Sequence, residues 1–470
     1  MLIKIHICFL TFLLTVSCQN VTDKTRAAGI ADKPPMGWNS FDAWDYRINE
    51  EQFKATVDVM AERLLSHGWE YAVLDYIWWY WEPANGEKPP RFNDPNLKYT
   101  ASGKLLHPEY ITMDRNGRFM PSPRRFPSST GGKGFKPLAD YVHSKGLKFG
   151  LHIMRGIPRY AVNLNLPVKG TKYRASGLAV KSDTCEWLNH TFGIDVSKPG
   201  AQAYYNSLFE MYASWGVDFV KVDDILSPDF HAGEIGLIKK AIEHCGRPMT
   251  LSLSPGEAPL SQAEFLVKNA NMWRIADDFW DDWGSLLHNF ELLNRWSPWI
   301  GEGHWPDADM LSVGHISLNG LPHGPDRMTN FTWNEQITLM TLWSMARSPL
   351  MIGADLLSSP DSTFLLLTND EILYVDQNSA NNRQVLRTEG ENGHVIWMAS
   401  DTGNDDVFVA IFNLSSKKNR ICFDLRKENL SGTYKVRELW KHEDIGMVKD
   451  TVWAETAPHG AVMYRLSEQE

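Results

Sequence analysis

Between residues 36 and 355 the chain repeats one pattern eight times: a short apolar run of strand length, then a stretch with apolar residues at helical spacing. The strand-like runs are MGWNSF (36–41), YAVLDYIWW (71–79), KFGLHIM (148–154), DFVKVDDI (218–225), PMTLSLS (248–254), MWRIADD (272–278), HWPDADML (304–311) and PLMIGAD (349–355). Helical patterns separate them, as in 50–68, where Phe53, Val57, Met60 and Leu64 fall on one face, and again in 135–146, 200–216, 235–246, 285–296 and 334–348. A strand that returns through a crossover helix joins its sheet in parallel. Eight such units predict an α/β fold, a closed (β/α)8 TIM barrel over residues 34–383 with long insertions after the second and third strands. A doubly wound open sheet is the alternative, but no glycine-rich phosphate turn follows any strand. Beyond residue 383 the texture changes to VIWMAS, DVFVAIFNL, RICFDL, TYKVREL and AVMYRL, punctuated by turn signals. This predicts a C-terminal antiparallel β-sandwich over 384–470 that serves as a structural appendage.

The formal net charge of −10, without an extended Lys/Arg cluster, argues against nucleic acid or an anionic membrane surface as partner. Nineteen Trp beside 15 Tyr and 21 Phe leave two readings open: aromatic platforms for the apolar faces of sugar rings, or a large aromatic core. Residues 1–18 read as an export signal, with Lys4 ahead of a nearly continuous apolar run that is short for a membrane span. The run ends in Thr-Val-Ser-Cys, similar to a bacterial lipoprotein box, so Cys18 is the expected lipidation site and 19–33 a polar tether. The expected location is the bacterial periplasm or outer membrane, with the lipid as the only membrane contact. Cys185, Cys245 and Cys422 remain, too few and too widely spaced for a disulfide framework or a zinc site.

Barrel enzymes place their reacting groups at the C-terminal ends of strands. In this chain those ends are acidic. Asp75 closes the second run, Asp223 and Asp224 the fourth, and Asp277 and Asp278 the sixth, while Asp307 and Asp309 fall in the seventh. No Ser or Cys sits in a strand-to-helix elbow, which disfavours acyl transfer. Two carboxyl groups on nearby strands suit glycosidic cleavage, one as nucleophile and the other as acid and base. An Mg²⁺-dependent barrel with converging carboxylates and an inactive sugar-binding barrel are the readings from other classes.

PPMGWNSF (34–41), VKVDD (220–224), WRIADD (273–278), HWPDADML (304–311) and SPLMIGAD (348–355) together resemble glycoside hydrolase family 27, the α-galactosidase and α-N-acetylgalactosaminidase family, in a bacterial branch. The resemblance implies a retaining exo-α-galactosidase with no cofactor and no metal, acting on a carbohydrate with a terminal α-linked galactosyl-type sugar. Carried over by position, Asp223 is the nucleophile and Asp278, four residues after Arg274, the acid/base, with Asp277 as the rival. Lys221, Arg274, Asp75 and His152 are expected to contact the sugar, Trp38 to wall the pocket, and Asp277, Asp307 and Asp309 to support the site. Three departures bear on the sugar. Tyr76 replaces the second carboxylate of the family's Asp-Asp pair, His152 stands where Tyr is common, and Ile225 replaces a cysteine of the active-site disulfide, whose partner's place Cys185 fits. Small Ser254 and Gly256 leave room for an N-acetyl group, which keeps α-N-acetylgalactosaminidase and β-L-arabinopyranosidase as alternatives.

Overall fold

The computed structural model describes residues 29–80, 111–320 and 324–469; the export signal, Cys18 and most of the tether read from the sequence lie outside them. Eight parallel strands follow in chain order: β1 (Met36–Asn39), β2 (Tyr71–Leu74), β3 (Lys148–Met154), β4 (Phe219–Asp223), β5 (Thr250–Leu253), β6 (Met272–Arg274), β7 (Trp305–Asp307) and β8 (Leu350–Ile352). Within the run from β1 to β7 each strand pairs with the next in sequence, and β1 also pairs with β8. A parallel bridge from Leu311 to Ile352 joins the seventh unit to the eighth and closes the ring. The helices that the periodicity predicts are present outside the ring, among them Glu50–Arg63, Pro199–Trp215 and Trp283–Trp296.

Most of the tryptophans serve the core. Nine of them (Trp38, Trp69, Trp78, Trp79, Trp273, Trp296, Trp305, Trp343 and Trp397) are fully buried, where aromatic rings supply large apolar area. The indole N–H groups of several still find acceptors. Trp38 donates to Ala354 O at 2.7 Å, Trp78 to His152 O at 2.7 Å and Trp69 to Leu367 O at 2.9 Å.

Two helices after β8, Asp361–Leu367 and Asp370–Asn378, lead into the sandwich, whose first strand, Ser379–Thr388, begins a few residues ahead of the boundary read from composition. Its larger sheet has six strands, and Asn419–Asp424 pairs with Thr451–Thr456 in a second sheet. In His394–Asp401 alternate residues separate cleanly: Val395, Trp397 and Ala399 join the barrel's core, Ile396 and Met398 the sandwich interior. Burial of the sheet on both faces explains why VIWMA is apolar without alternation. Polar contacts fix the seam, with Thr338 Oγ1 donating to His459 O at 2.6 Å and the His459 ring stacked on Trp283 at 3.9 Å.

Candidate active site

The strand ends surround one cavity of about 540 Å³. Alternation along β4 sends Val220 and Val222 into the outer layer and turns Lys221 and Asp223 toward the lumen. Lys221 Nζ reaches Asp75 Oδ2 at 3.0 Å, and the same oxygen accepts from Asn39 Nδ2 at 2.6 Å. Burial opposes ionisation of Asp75, yet Lys221, His152 and Asn39 outweigh it and hold the carboxyl below its ordinary range. Asp223 follows the same logic more strongly. Burial raises it, but His152, Lys221 and Ser254 together hold it far below the usual carboxylate range. His152 Nε2 lies 3.2 Å from Asp223 Oδ2, and Asp223 Oδ1 is buried without a hydrogen-bond partner among the described residues.

Across the cavity Arg274, itself buried, reaches Asp309 Oδ1 at 2.8 Å and Asp278 Oδ1 at 3.3 Å. Asp309 Oδ2 accepts from Phe279 N at 2.8 Å, which pins the backbone next to Asp278. Burial, with Asp278 and Asp307 nearby, pushes Asp309 up to about 7 despite Arg274. Asp278 is the more accessible of the two candidate catalytic groups, its side chain 54% exposed against 14% for Asp223. Asp277 accepts from Asp278 N through Oδ1 at 2.9 Å, a turn contact that orients its neighbour. Asp45 and Asp309, neither of them glycine, line the cavity with positive φ.

Of the residues singled out from sequence, Asp75, Tyr76, Lys221, Asp223, Ser254, Arg274, Asp277, Asp278 and Asp309 all line this one cavity. Trp38 and His152 require correction. Trp38 lies within β1 on the face opposite Asn39; its ring packs on Phe53 at 5.6 Å and lines no part of the cavity. In its place Phe41, two residues past the strand end, lines the cavity, and the strand-end rule picks it out once the end of β1 is placed at Asn39. His152 is fully buried behind Asp223, so it touches the carboxylate and not the cavity. Asp307, also buried, accepts from Asp309 N at 3.0 Å. The small residue at 256 has a packing cause: a Cβ there would meet Ala276 O at 1.9 Å. Asp42, Asp45, Trp187 and Trp280 line the cavity unforeseen; two lie beyond β1 and two in loops, where no periodic signal marks them.

Cys185, Cys245 and Cys422 are free thiols. Burial, together with Asp224, pushes the Cys185 thiol above its ordinary range. Away from the cavity, Asp183, His231 and Glu234 present ligand atoms within 4.8 Å of one another. Arg155 already supplies the cation there, its Nη1 3.0 Å from Asp183 Oδ2 and 3.1 Å from Glu234 Oε1.

A closed parallel barrel with a lumenal Lys-Asp pair on β4 and an Arg-anchored Asp after β6 sets two carboxyl groups around one cavity, the residue types that a glycosidase uses. A profile for α-galactosidase A matches residues 189–378, and one for the α-galactosidase C-terminal β-sandwich domain matches 391–466. α-Galactosidase 2 of Arabidopsis thaliana is 27% identical over 480 aligned residues, covering 100% of this chain and 99% of the relative. Among solved structures, a GH27 β-L-arabinopyranosidase variant from Geobacillus stearothermophilus, in complex with arabinose, superposes with TM-score 0.86 at 47% identity, covering 94% of this chain and 98% of that one. A candidate α-N-acetylgalactosaminidase from Bacillus halodurans gives TM-score 0.81 at 43% identity, covering 95% and 99%. The chain belongs to glycoside hydrolase family 27.

Proposed function

We propose that this chain is an exo-acting, net-retaining glycosidase that releases terminal β-L-arabinopyranosyl units. Asp223 attacks the anomeric carbon as the glycosidic C–O bond breaks, and Asp278 gives its proton to the leaving oxygen. Asp278 then takes a proton from water, whose oxygen displaces Asp223 and restores the carboxylate. Lys221 and Asp75 bind hydroxyls on one side of the ring, Arg274 on the other. Asp309 holds Arg274, and His152 holds Asp223.

The observation that carries the sugar assignment is Tyr76. β-L-Arabinopyranose has the ring configuration of α-D-galactopyranose without C6. At position 76 a carboxylate able to bind O6 is replaced by a phenol ring that lines the cavity and packs edge-on to Phe41 at 5.6 Å and His152 at 5.7 Å. A phenol offers no charge to a 6-hydroxyl, and on this reading its ring takes the space of C6. The similarity to an arabinopyranosidase at 47% identity, against 27% for an α-galactosidase, points the same way. α-Galactosidase, which the motifs alone favour, becomes the competing reading. The N-acetyl alternative loses an argument, since packing already accounts for Gly256.

Parallel assays on aryl β-L-arabinopyranoside, α-D-galactopyranoside and α-N-acetylgalactosaminide test the assignment. The arabinoside should be turned over at least roughly tenfold faster than the galactoside, the worth of one well-placed contact. Tyr76→Asp should shift the ratio toward galactose. Galactoside preference in the native enzyme, unchanged by Tyr76→Asp, would sink the reading.

A further inference from the structure

Asp42 follows β1 by three residues, is 3% exposed and lines the cavity. Room for it is made by Gly353, at the end of β8, where a Cβ would meet Asp42 Oδ2 at 2.2 Å. Beside that oxygen lies a hydroxyl with two claims on it. Ser312 Oγ, fully buried, lies 3.2 Å from Asp42 Oδ2 and 3.2 Å from Phe279 O. A serine has one proton to donate. Phe279 O accepts only, so if Ser312 serves it, Asp42 Oδ2 must itself be the donor for both contacts to be hydrogen bonds. The chain then runs from Asp42 O–H to Ser312 Oγ and from Ser312 O–H to Phe279 O, ending beside Asp278.

The charges around Asp42 favour the same state. Asp309 from the β7 end, Asp278 from the β6 end and Lys221 from β4 face it. Of the three cations lining the cavity, Lys221 is engaged with Asp75, Arg274 with Asp309 and Asp278, and Arg47 lies beside Tyr46 and Asp45. A second negative charge beside Asp309 would stand buried without a counter-ion, which is far costlier than holding a proton.

We propose that Asp42 is a further sugar-contacting residue, a proton-bearing carboxylic acid whose Oδ2–H donates to Ser312 while its other oxygen accepts a hydroxyl of the terminal sugar. The proposal rests on the cavity being the sugar site, and it adds a neutral acceptor to a wall where another carboxylate would repel. Through Ser312 the same group steadies Phe279, so sugar binding and the placement of Asp278 are linked.

Asp42→Ala should raise KM roughly tenfold, with a smaller effect on kcat, as expected when a buried hydrogen bond to substrate is lost. Asp42→Asn, whose amide donates to Ser312 and whose carbonyl faces the sugar, should recover most of that affinity. An Asn variant as impaired as the Ala variant would mean that the charge is needed, and normal KM in Asp42→Ala would mean no contact; either overturns the proposal. Infrared difference spectra provide a readout independent of turnover and of Asp42→Ala folding. The native protein at neutral pH should show a protonated-carboxyl C=O band that is missing from Asp42→Asn and that shifts on adding L-arabinose or D-galactose, whichever inhibits. Absence of that band overturns the proposal. Full activity of Asp223→Asn would instead overturn the nucleophile assignment while leaving the infrared result for Asp42 standing.

Discussion

Two walls of one cavity set the same residue type to opposite ends of its range. On the β2–β4 wall, Asp75 and Asp223 are buried, yet Lys221 and His152 hold both below the ordinary carboxylate range. On the wall from β7 round to β1, burial outweighs the nearby cations Arg47, Arg125, Arg274 and Lys221 and drives Asp42, Asp45, Asp307 and Asp309 up. Location in the barrel does not decide protonation; the balance between burial and the charges and hydrogen bonds that each carboxyl meets does. A double displacement needs both settings, an ionised nucleophile and neighbours that do not repel the developing negative charge of the leaving group.

Breaking the ionised wall should have the largest effect. Asp223→Asn is expected to lower kcat on an aryl glycoside by about 10⁴-fold or more, as when a nucleophile is removed from a coupled unit. Azide should restore turnover to Asp223→Ala by filling the vacated space, with inverted product configuration. Asp278→Asn should cost less, roughly 10²- to 10³-fold. Its loss should grow with the basicity of the leaving group, because only poor leaving groups need its proton. If both variants respond to leaving-group basicity alike, the roles are misassigned. His152→Phe removes the hydrogen bond to Asp223 while keeping a ring. It should cost roughly ten- to a hundredfold in kcat and move the acidic limb of the pH profile upward, since the nucleophile loses a contact that keeps it ionised.

The contrast between the walls also marks where sequence reasoning stops. The barrel was legible because strand and helix periods alternate without ambiguity, and β4 because VKVD places Lys221 and Asp223 on one face. The ends of strands were harder. MGWNSF reads as one run, but Asn39 ends β1, which turns Trp38 outward and leaves Phe41 and Asp42 at the mouth. His152 was expected at the sugar because it stands where the family commonly has Tyr; depth along β3, which periodicity does not encode, puts it behind Asp223. Gly256 was read as room for a ligand when its space belongs to Ala276 O, a contact made only in three dimensions.

The smallest effect is on stability, and its sign follows from the walls. Asp45, burial outweighing its arginine neighbours, is pushed up to about 7 in the folded chain, whereas an unfolded Asp titrates near 4. Between those values the folded state holds a proton that the unfolded state has released. The resulting stability is fully present below about pH 4 and is lost as pH rises through 7. Asp309, also raised to about 7, acts in the same direction. Asp75 and Asp223 act oppositely; their contribution is present above the unfolded value and lost only as pH falls through their lower folded values. Asp45→Asn removes one term from the raised set without changing side-chain size. Relative to the native chain it should gain on the order of 1–4 kcal/mol of unfolding free energy between pH 4 and 8. Denaturant melts at the two pH values measure this directly. Parallel curves for the native and Asn chains would show that Asp45 is ionised in the fold, and that wall would then hold more charge than its cations can balance.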